Sequence, residues 1–329
     1  TVASLTPLQH RANSSADLYR VESALRDAAK TEDDFLTEFA SHLIPAGGKR
    51  LRPAFVIASA LALDPSGHID ERLTEEMIRG GVAVELVHLG SLYHDDVMDE
   101  AETRRGIEAV NHRWGNLTAI LAGDFLLAKA SELAASLGTE VAELLAATIG
   151  RLCEGQVREL QLIYDIGRSE EQYLQAISGK TAELYATSCR IGAIVGGADR
   201  SVVDQLTQFG HDYGMAFQVV DDVLDLIATD EELGKPSGND LREGVYTLPV
   251  IRMIESGDAV VDLLGGPLDD ATRDLARSAV VQGPEIETSI ATAQEFVDSA
   301  LSSVSTLPDT PGLQGMRDAA TNLLTALKR

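Results

Sequence analysis

Apolar residues recur at intervals of three and four along most of the chain, as in AILAGDFLLAKASELAASL, VAELLAATIGRLCEGQVRELQLI and VVDQLTQFGHDYGMAFQVVDDVLDLI. That spacing lines up one stripe of side chains on a helix. No segment alternates with the period of two that a half-buried strand requires, and no βαβ rhythm is found. Proline, the strongest helix breaker, is missing from residue 66 to residue 235. The chain is therefore expected to be all-α. Two segments, 117–137 and 213–228, are apolar around much of their circumference, which predicts helices enclosed within a bundle. Turns are expected at SLGTE near 138 and VGGADR near 197, and the longest polar loop is DEELGKPSGNDLREG, 230–244. Beyond residue 255 amphipathic helices alternate with GGPLD, QGP and LPDTPG. No internal repeat or low-complexity linker divides the chain, so 1–329 is read as one domain.

Composition sharpens this picture. With 44% hydrophobic, 24% charged and only 5% aromatic residues, the chain can bury a sizeable core and favours helix over strand. Acids outnumber bases 52 to 27, for a net charge of −25. That balance excludes a nucleic-acid binder, which needs a basic face, and a general basic patch for anionic membranes. An anionic ligand would need locally concentrated Lys and Arg, or a metal. Cys153 and Cys189 lie in helical segments without metal-ligand spacing and are read as buried, reduced thiols. No apolar run approaches the ~18 residues of a transmembrane segment and no leader pattern is seen, so a soluble, cytoplasmic protein is expected.

The candidate chemistry begins at HDDVMD. On a helix, Asp95, Asp96 and Asp99 fall at about 0°, 100° and 40°, within one face and one turn. Like charges at this spacing repel, and hard oxygen donors so grouped suit Mg²⁺. Alone, the triad reads as a solvated acidic face. FQVVDDVLDLI repeats the spacing with Asp221, Asp222 and Asp225, again where a strongly apolar run ends. Two buried helices ending in three acids each are costly unless cations neutralise them. A cluster of Mg²⁺ between two such triads would take a diphosphate as its guest and turn it into a leaving group.

Cations stand nearby. AGGKRLRP (46–53) offers Lys49, Arg50 and Arg52 behind a Gly-Gly pair that lets backbone approach a ligand. Arg104 and Arg105 follow the first triad, and His88, seven residues before Asp95, lies within about 20° of its helical face. Together they read as a second, metal-free anion site.

The set GGKRLRP, ELVHLGSLYHDDVMDEAETRRG, GNLTAILAGDFLLAKA, GKTAELYATSC, FQVVDDVLD and GKPSGNDLREG resembles the trans-type polyprenyl diphosphate synthases, in family order from about residue 40 to 250. The resemblance implies the isoprenoid-synthase helical bundle around a deep central cavity, usually as a homodimer. It implies that Asp95, Asp96 and Asp99, with Asp221, Asp222 and the more peripheral Asp225, bind an allylic diphosphate through three Mg²⁺. Arg104, Lys180 and Lys235 match positions that touch this diphosphate, and Thr181 and Gln218 match residues lining the reaction centre. Lys49, Arg52, His88 and Arg105 match the isopentenyl diphosphate site, and Asp240 an acid near the third metal. The implied reaction ionises the allylic substrate, couples it to isopentenyl diphosphate and lengthens the chain by one C5 unit.

The chain departs from the family where GVYTLP puts Val245 in place of a frequent lysine, and Tyr93 stands where an aliphatic residue is common. Tyr93 points about 160° away from Asp95, so packing is its expected role. Ser91, one turn below Asp95, and its neighbour Gly90 are small where short-chain members carry aromatics, and Val84 and Val87 continue the wall. A medium- or long-chain all-trans product is expected, with geranylgeranyl diphosphate (C20) as the alternative. A terpene cyclase fits poorly with a second DDxxD and with Lys49 and Arg52. A non-catalytic subunit of a heteromeric synthase fits poorly with six retained aspartates. The closing Leu-Lys-Arg reads as a solvated helix end.

Overall fold

The computed structural model describes residues 14–64, 71–233 and 236–327. Sixteen α-helices are found among them: α1 Ser14–Ala28, α2 Asp34–Ser41, α3 Leu51–Ala60, α4 Glu71–Met98, α5 Val110–Trp114, α6 Asn116–Ser136, α7 Thr139–Leu160 and α8 Glu170–Ile177. After them come α9 Glu183–Val195, α10 Arg200–Ile227, α11 Asp230–Leu233, α12 Asn239–Glu243, α13 Leu248–Ser256, α14 Asp270–Gln282, α15 Glu285–Ser303 and α16 Pro311–Leu323. The all-α expectation holds. The 230–244 loop contains two short helices that its polarity hid.

The two longest helices, α4 and α10, each have 28 residues and carry the two aspartate triads at their C-terminal ends. Helix α4 packs on α6, α3 bridges α4 and α9, and α10 packs between α9 and α15. The apolar side chains form two cores. One gathers residues of α1–α4, α6 and α7, and the other residues of α3, α9, α10, α13, α15 and α16. Each large side chain so buried contributes about 1.5–3 kcal/mol, which carries the cost of the acids buried beside them. Rings of Phe55, Tyr185 and Tyr213 close the junction of α3, α9 and α10, with Phe55 and Tyr213 centroids 4.6 Å apart.

Helix α10 is enclosed as its sequence predicts. Helix α6 is not: Ala119, Ala122 and Leu126 are buried, but Leu117 is 72% and Leu121 52% exposed. The expectation of a fully enclosed α6 is corrected accordingly, because Ala119, Ala122 and Leu126 face inward while Leu117, Ile120 and Leu121 face outward. Cys189 is buried as expected, but Cys153 is exposed. Tyr93 packs as expected, wholly buried, its hydroxyl donating to the Phe39 carbonyl at 2.9 Å.

One short hairpin interrupts the helices. β1 (Thr103–Arg104) pairs antiparallel with β2 (Ile107–Glu108) through a two-residue turn. Arg105 and Gly106 have φ of 54° and 78°, the left-handed pair that matches the twist of a tight hairpin. Glycine adopts this freely, whereas arginine does so at a cost of ~1 kcal/mol.

Candidate active site

The end of α4 sorts its three acids by environment. Asp96 is fully buried, Asp95 half-buried and Asp99 exposed. The hairpin turns Arg104 back onto Asp96, whose Oδ1 accepts from Nε at 2.6 Å and Nη2 at 2.5 Å. The other oxygen, Oδ2, is buried with no protein partner among the described residues. Burial pushes the Asp95 carboxyl up to about 6, with Lys180 opposing and Asp99 adding to the rise. Asp96 is also raised, chiefly by burial.

Lys180 and Thr181 lie on a π-helical turn, Ser178–Ala182, between α8 and α9. Such turns re-aim side chains and are frequent at functional sites. Gly155 of α7 lets the Lys180 backbone press against it, where a Cβ would clash. The ammonium is thereby held toward Asp95 and Asp99 while donating to Glu159 at 2.5 Å.

The second triad is built differently. Asp222 is buried and accepts from Tyr173 Oη at 2.6 Å and Gln218 Nε2 at 2.7 Å, while Thr181 Oγ1 donates to Gln218 Oε1 at 2.7 Å. Burial pushes Asp222 up to about 7 against those two hydrogen bonds, with Asp221 and Glu159 adding repulsion. Asp221 is exposed. Asp225 is buried and turned to the following loop: its carbonyl accepts the Gly238 N–H at 2.8 Å and its Oδ2 the Asp240 N–H at 3.3 Å. Glu159 acts on Asp95 and Asp222 alike, so both triads border one space.

The basic loop forms the second pocket. Gly47 and Gly48 both have positive φ, and a Cβ on Gly48 would meet the Arg105 guanidinium. Arg105 donates to the Gly47 carbonyl and lies 3.3 Å from His88 Nε2. Burial, with Arg52 and Arg105 beside it, holds His88 well below its ordinary range, so the imidazole is neutral at neutral pH. Arg52 lies over the Tyr185 ring at 4.6 Å and its buried Nε has no protein partner among the described residues. Lys49 is exposed at the rim. Arg50 is turned away from this pocket, into buried contacts with Glu85 at 2.8 Å, Glu22 at 2.9 Å and the Ile44 carbonyl at 2.9 Å. Of the three cations that the Gly-Gly-Lys-Arg stretch offered, Arg50 therefore anchors the loop.

Below Asp95 and Lys180 runs a cavity of about 310 Å³, lined by Val87 and Ser91 of α4, Leu127 of α6, and Ile149, Leu152 and Cys153 of α7. His94 stands at its upper end beside Asp95, and among the described residues no Phe, Tyr or Trp lines it. Gly90 and Val84 do not line it. A Cβ on Gly90 would stand 3.1 Å from the Gly123 carbonyl, so Gly90 permits the close approach of α6. Lys235, and the terminal Lys328 and Arg329, lie outside the described residues.

The residues that periodicity and spacing did not single out are Glu159, Tyr173 and Arg168. Each supports a triad or a cation from another helix or loop, a long-range relation with no local signal. Two groups of acids, flanking cations, a neutral half-buried imidazole and an apolar shaft can hold a doubly anionic head beside a second one and keep water from the tail.

A profile of the polyprenyl synthetase family matches residues 33–275. The chain belongs to that family. It is an enzyme, a prenyltransferase of the polyprenyl diphosphate synthase type. Among its relatives, heptaprenyl diphosphate synthase component 2 of Geobacillus stearothermophilus is 40% identical over 309 residues, covering 93% of this chain and 94% of that one. Nonaprenyl diphosphate synthase of Mycobacterium tuberculosis is 37% identical over 307 residues, covering 92% and 90%. A polyprenyl synthase from Caulobacter crescentus, crystallised with calcium and isoprenyl diphosphate, superposes with a TM-score of 0.90 at 30% identity, covering 99% of this chain and 98% of that one.

Proposed function

We propose that this synthase condenses an allylic diphosphate with isopentenyl diphosphate, in the presence of Mg²⁺, to an all-trans polyprenyl diphosphate longer than C15. The observation that carries this reading is the apolar shaft descending from Asp95 and Lys180, which no Phe, Tyr or Trp among the described residues closes. The names of the heptaprenyl and nonaprenyl relatives support the longer products over C20.

The donor set fits divalent ions. It consists of hard carboxylate oxygens, and Asp96 Oδ2 is buried without a protein partner among the described residues. No three acids among the described residues converge on a single point. Mg²⁺ is commonly held by one or two carboxylates, with water and substrate oxygens completing the shell. Asp95, Asp96, Asp99, Asp221 and Asp222 would hold it, with Asp225 at the periphery and three ions as the number the family resemblance implies. When bound, Mg²⁺ supplies electron withdrawal from the departing diphosphate.

The chain's own residues do the rest. Arg104 and Lys180, with Lys235, bind the allylic diphosphate and stabilise the charge it gains on leaving. Arg52, Arg105 and Lys49 hold isopentenyl diphosphate, and neutral His88 adds a donor without further charge. Thr181 and Gln218 border the allylic cation, the apolar shaft excludes water from it, and Ser91 leaves the tail room.

Purified protein incubated with Mg²⁺, isopentenyl diphosphate and farnesyl diphosphate should give products beyond C15 on chain-length chromatography. Accumulation of C15 alone from shorter primers would sink the chain-length reading. Asp95→Ala should abolish condensation while the far-ultraviolet circular dichroism is unchanged.

We read the chain as one domain in the cytoplasm and as a homodimer joined across the exposed Leu117 and Leu121 of α6. No helix among the described residues is long and apolar enough to cross a membrane. The Geobacillus relative is named as one component of a synthase, which favours a second reading in which this chain works with a partner subunit. Activity of the purified single chain decides between them.

A further inference from the structure

The loop between α7 and α8, residues 161–169, is fastened to the turn that follows the second triad. Tyr164 holds a left-handed φ of 59°, donates its N–H to the Gly244 carbonyl at 2.9 Å and lays its ring where a Cβ on Gly244 would stand. Arg168 then turns inward. It is 3% exposed, and Nη1 donates to the Tyr246 carbonyl at 3.1 Å. Its guanidinium carbon stands 5.6 Å from the centre of the Tyr173 ring, the same tyrosine that donates to Asp222. Nε and Nη2 are buried without a protein partner among the described residues.

A loop arginine ordinarily keeps its head in water. Burying one with two orphaned nitrogens is unfavourable, and an apolar side chain of similar length would fill the space at lower cost. Packing therefore does not account for the residue. Its surroundings do. Burial lowers the basicity of the guanidinium, while Glu159, Tyr173, Asp222 and Asp240 act to keep it charged. Asp222 and Asp240 lie on separate segments, and Arg168 touches the neighbourhood of both: Tyr173 behind Asp222, and Tyr246 just beyond α12, the short helix that carries Asp240. Val245, next to Tyr246, brings no charge of its own.

We propose that Arg168 is a positioning residue for the metal–diphosphate site, fixing the exit of α12, the helix that carries Asp240, against the Tyr173–Asp222 pair. This rests on the function read above. The two orphaned nitrogens are poised for water or carboxylate oxygens once divalent ions draw the acids together. Support of this kind, one step removed from a metal, is typically worth ~10–100-fold in metal affinity.

The test uses the full chain and needs no turnover. Thermal unfolding is followed while Mg²⁺ is titrated with inorganic diphosphate present, for the wild type, Arg168→Met and Arg168→Lys. Wild-type protein should gain stability, and Arg168→Met should need about tenfold more Mg²⁺ or greater for half the gain. Arg168→Lys, which keeps the charge but loses the fork, should fall between them. In steady-state assays the KM for isopentenyl diphosphate should stay within about twofold for both variants, since that pocket is built by other residues. If Arg168→Met does not fold, Arg168→Lys and Arg168→Gln carry the comparison. Variants with the wild-type Mg²⁺ requirement overturn the proposal, even if their melting temperature in EDTA drops, because that drop alone marks a merely structural role. A wild-type chain that neither gains stability from Mg²⁺ and diphosphate nor condenses substrates overturns the functional reading, and this proposal with it.

Discussion

The buried acid of the first triad and that of the second share a sequence motif and little else. Asp96 is met by a cation, Arg104, arriving on a hairpin. Asp222 is met by two neutral donors, Tyr173 and Gln218, from a neighbouring helix and from its own. The spacing DDxxD therefore specifies where the carboxylates stand but not how their charge is tolerated. The first triad carries its own counter-charge. For Asp222, burial wins over two hydrogen bonds, so the acid rises to about 7 and depends on an external cation to ionise fully.

The largest effect should come from removing the counter-charge. Arg104→Met strips Asp96 of its ion pair and should lower condensation by ~10²–10³-fold. Leaving that carboxylate buried and uncompensated should cost ~3 kcal/mol of stability, read by urea unfolding. An equal loss from Tyr173→Phe would erase the distinction between the triads. That variant leaves Asp222 one neutral donor short and should cost about 1–2 kcal/mol by the same measurement.

The contrast also has a pH signature. Asp95 and Asp222 have folded-state values raised to about 6 and about 7 from an ordinary 3.8. A carboxyl raised on folding favours the folded state while both states are protonated, and that contribution fades as pH climbs through the folded value. Ligand-free protein in EDTA should therefore lose stability between pH 4 and 7. Added Mg²⁺ with diphosphate should reverse the trend in the upper half of that window, with protons released on binding. A melting temperature flat across this range would show that neither acid is held protonated.

Clearest in readout is the pair Ser91 and Gly90. Ser91→Phe should shorten the product by filling the shaft. Gly90→Ala should leave the product distribution alone and destabilise by about 1–2 kcal/mol, since its Cβ would crowd α6. A shortened product from Gly90→Ala would place that residue on the tail after all.

What could be read in the sequence was local. Helical period, the two triads and the Gly-Gly-Lys-Arg loop are all short-range patterns, and they led to the all-α fold and to the residues gathered around one space. What escaped depends on partners distant in sequence. Arg50 looks like one more cation beside Lys49 and Arg52, and only the proximity of Glu22 and Glu85 turns it inward. Gly90 and Ser91 are both small, and only the position of α6 separates a packing role from a lining one. Helix α6 looked buried because its sequence is apolar, whereas apolarity cannot distinguish a core from an uncovered face. The hairpin escaped because four strand residues are too few to show a period.

That hairpin sets stability and activity against each other at a single position. Arg105 sits where asparagine or glycine would relax the backbone by ~1 kcal/mol, and its side chain is the one that reaches Gly47 and His88. A consensus or stability-guided redesign of the turn would choose Asn-Gly, harden the protein and remove the link to Gly47 and His88 in the same step. For an engineer, Arg105 is thus a residue to lock before any thermostabilising search begins.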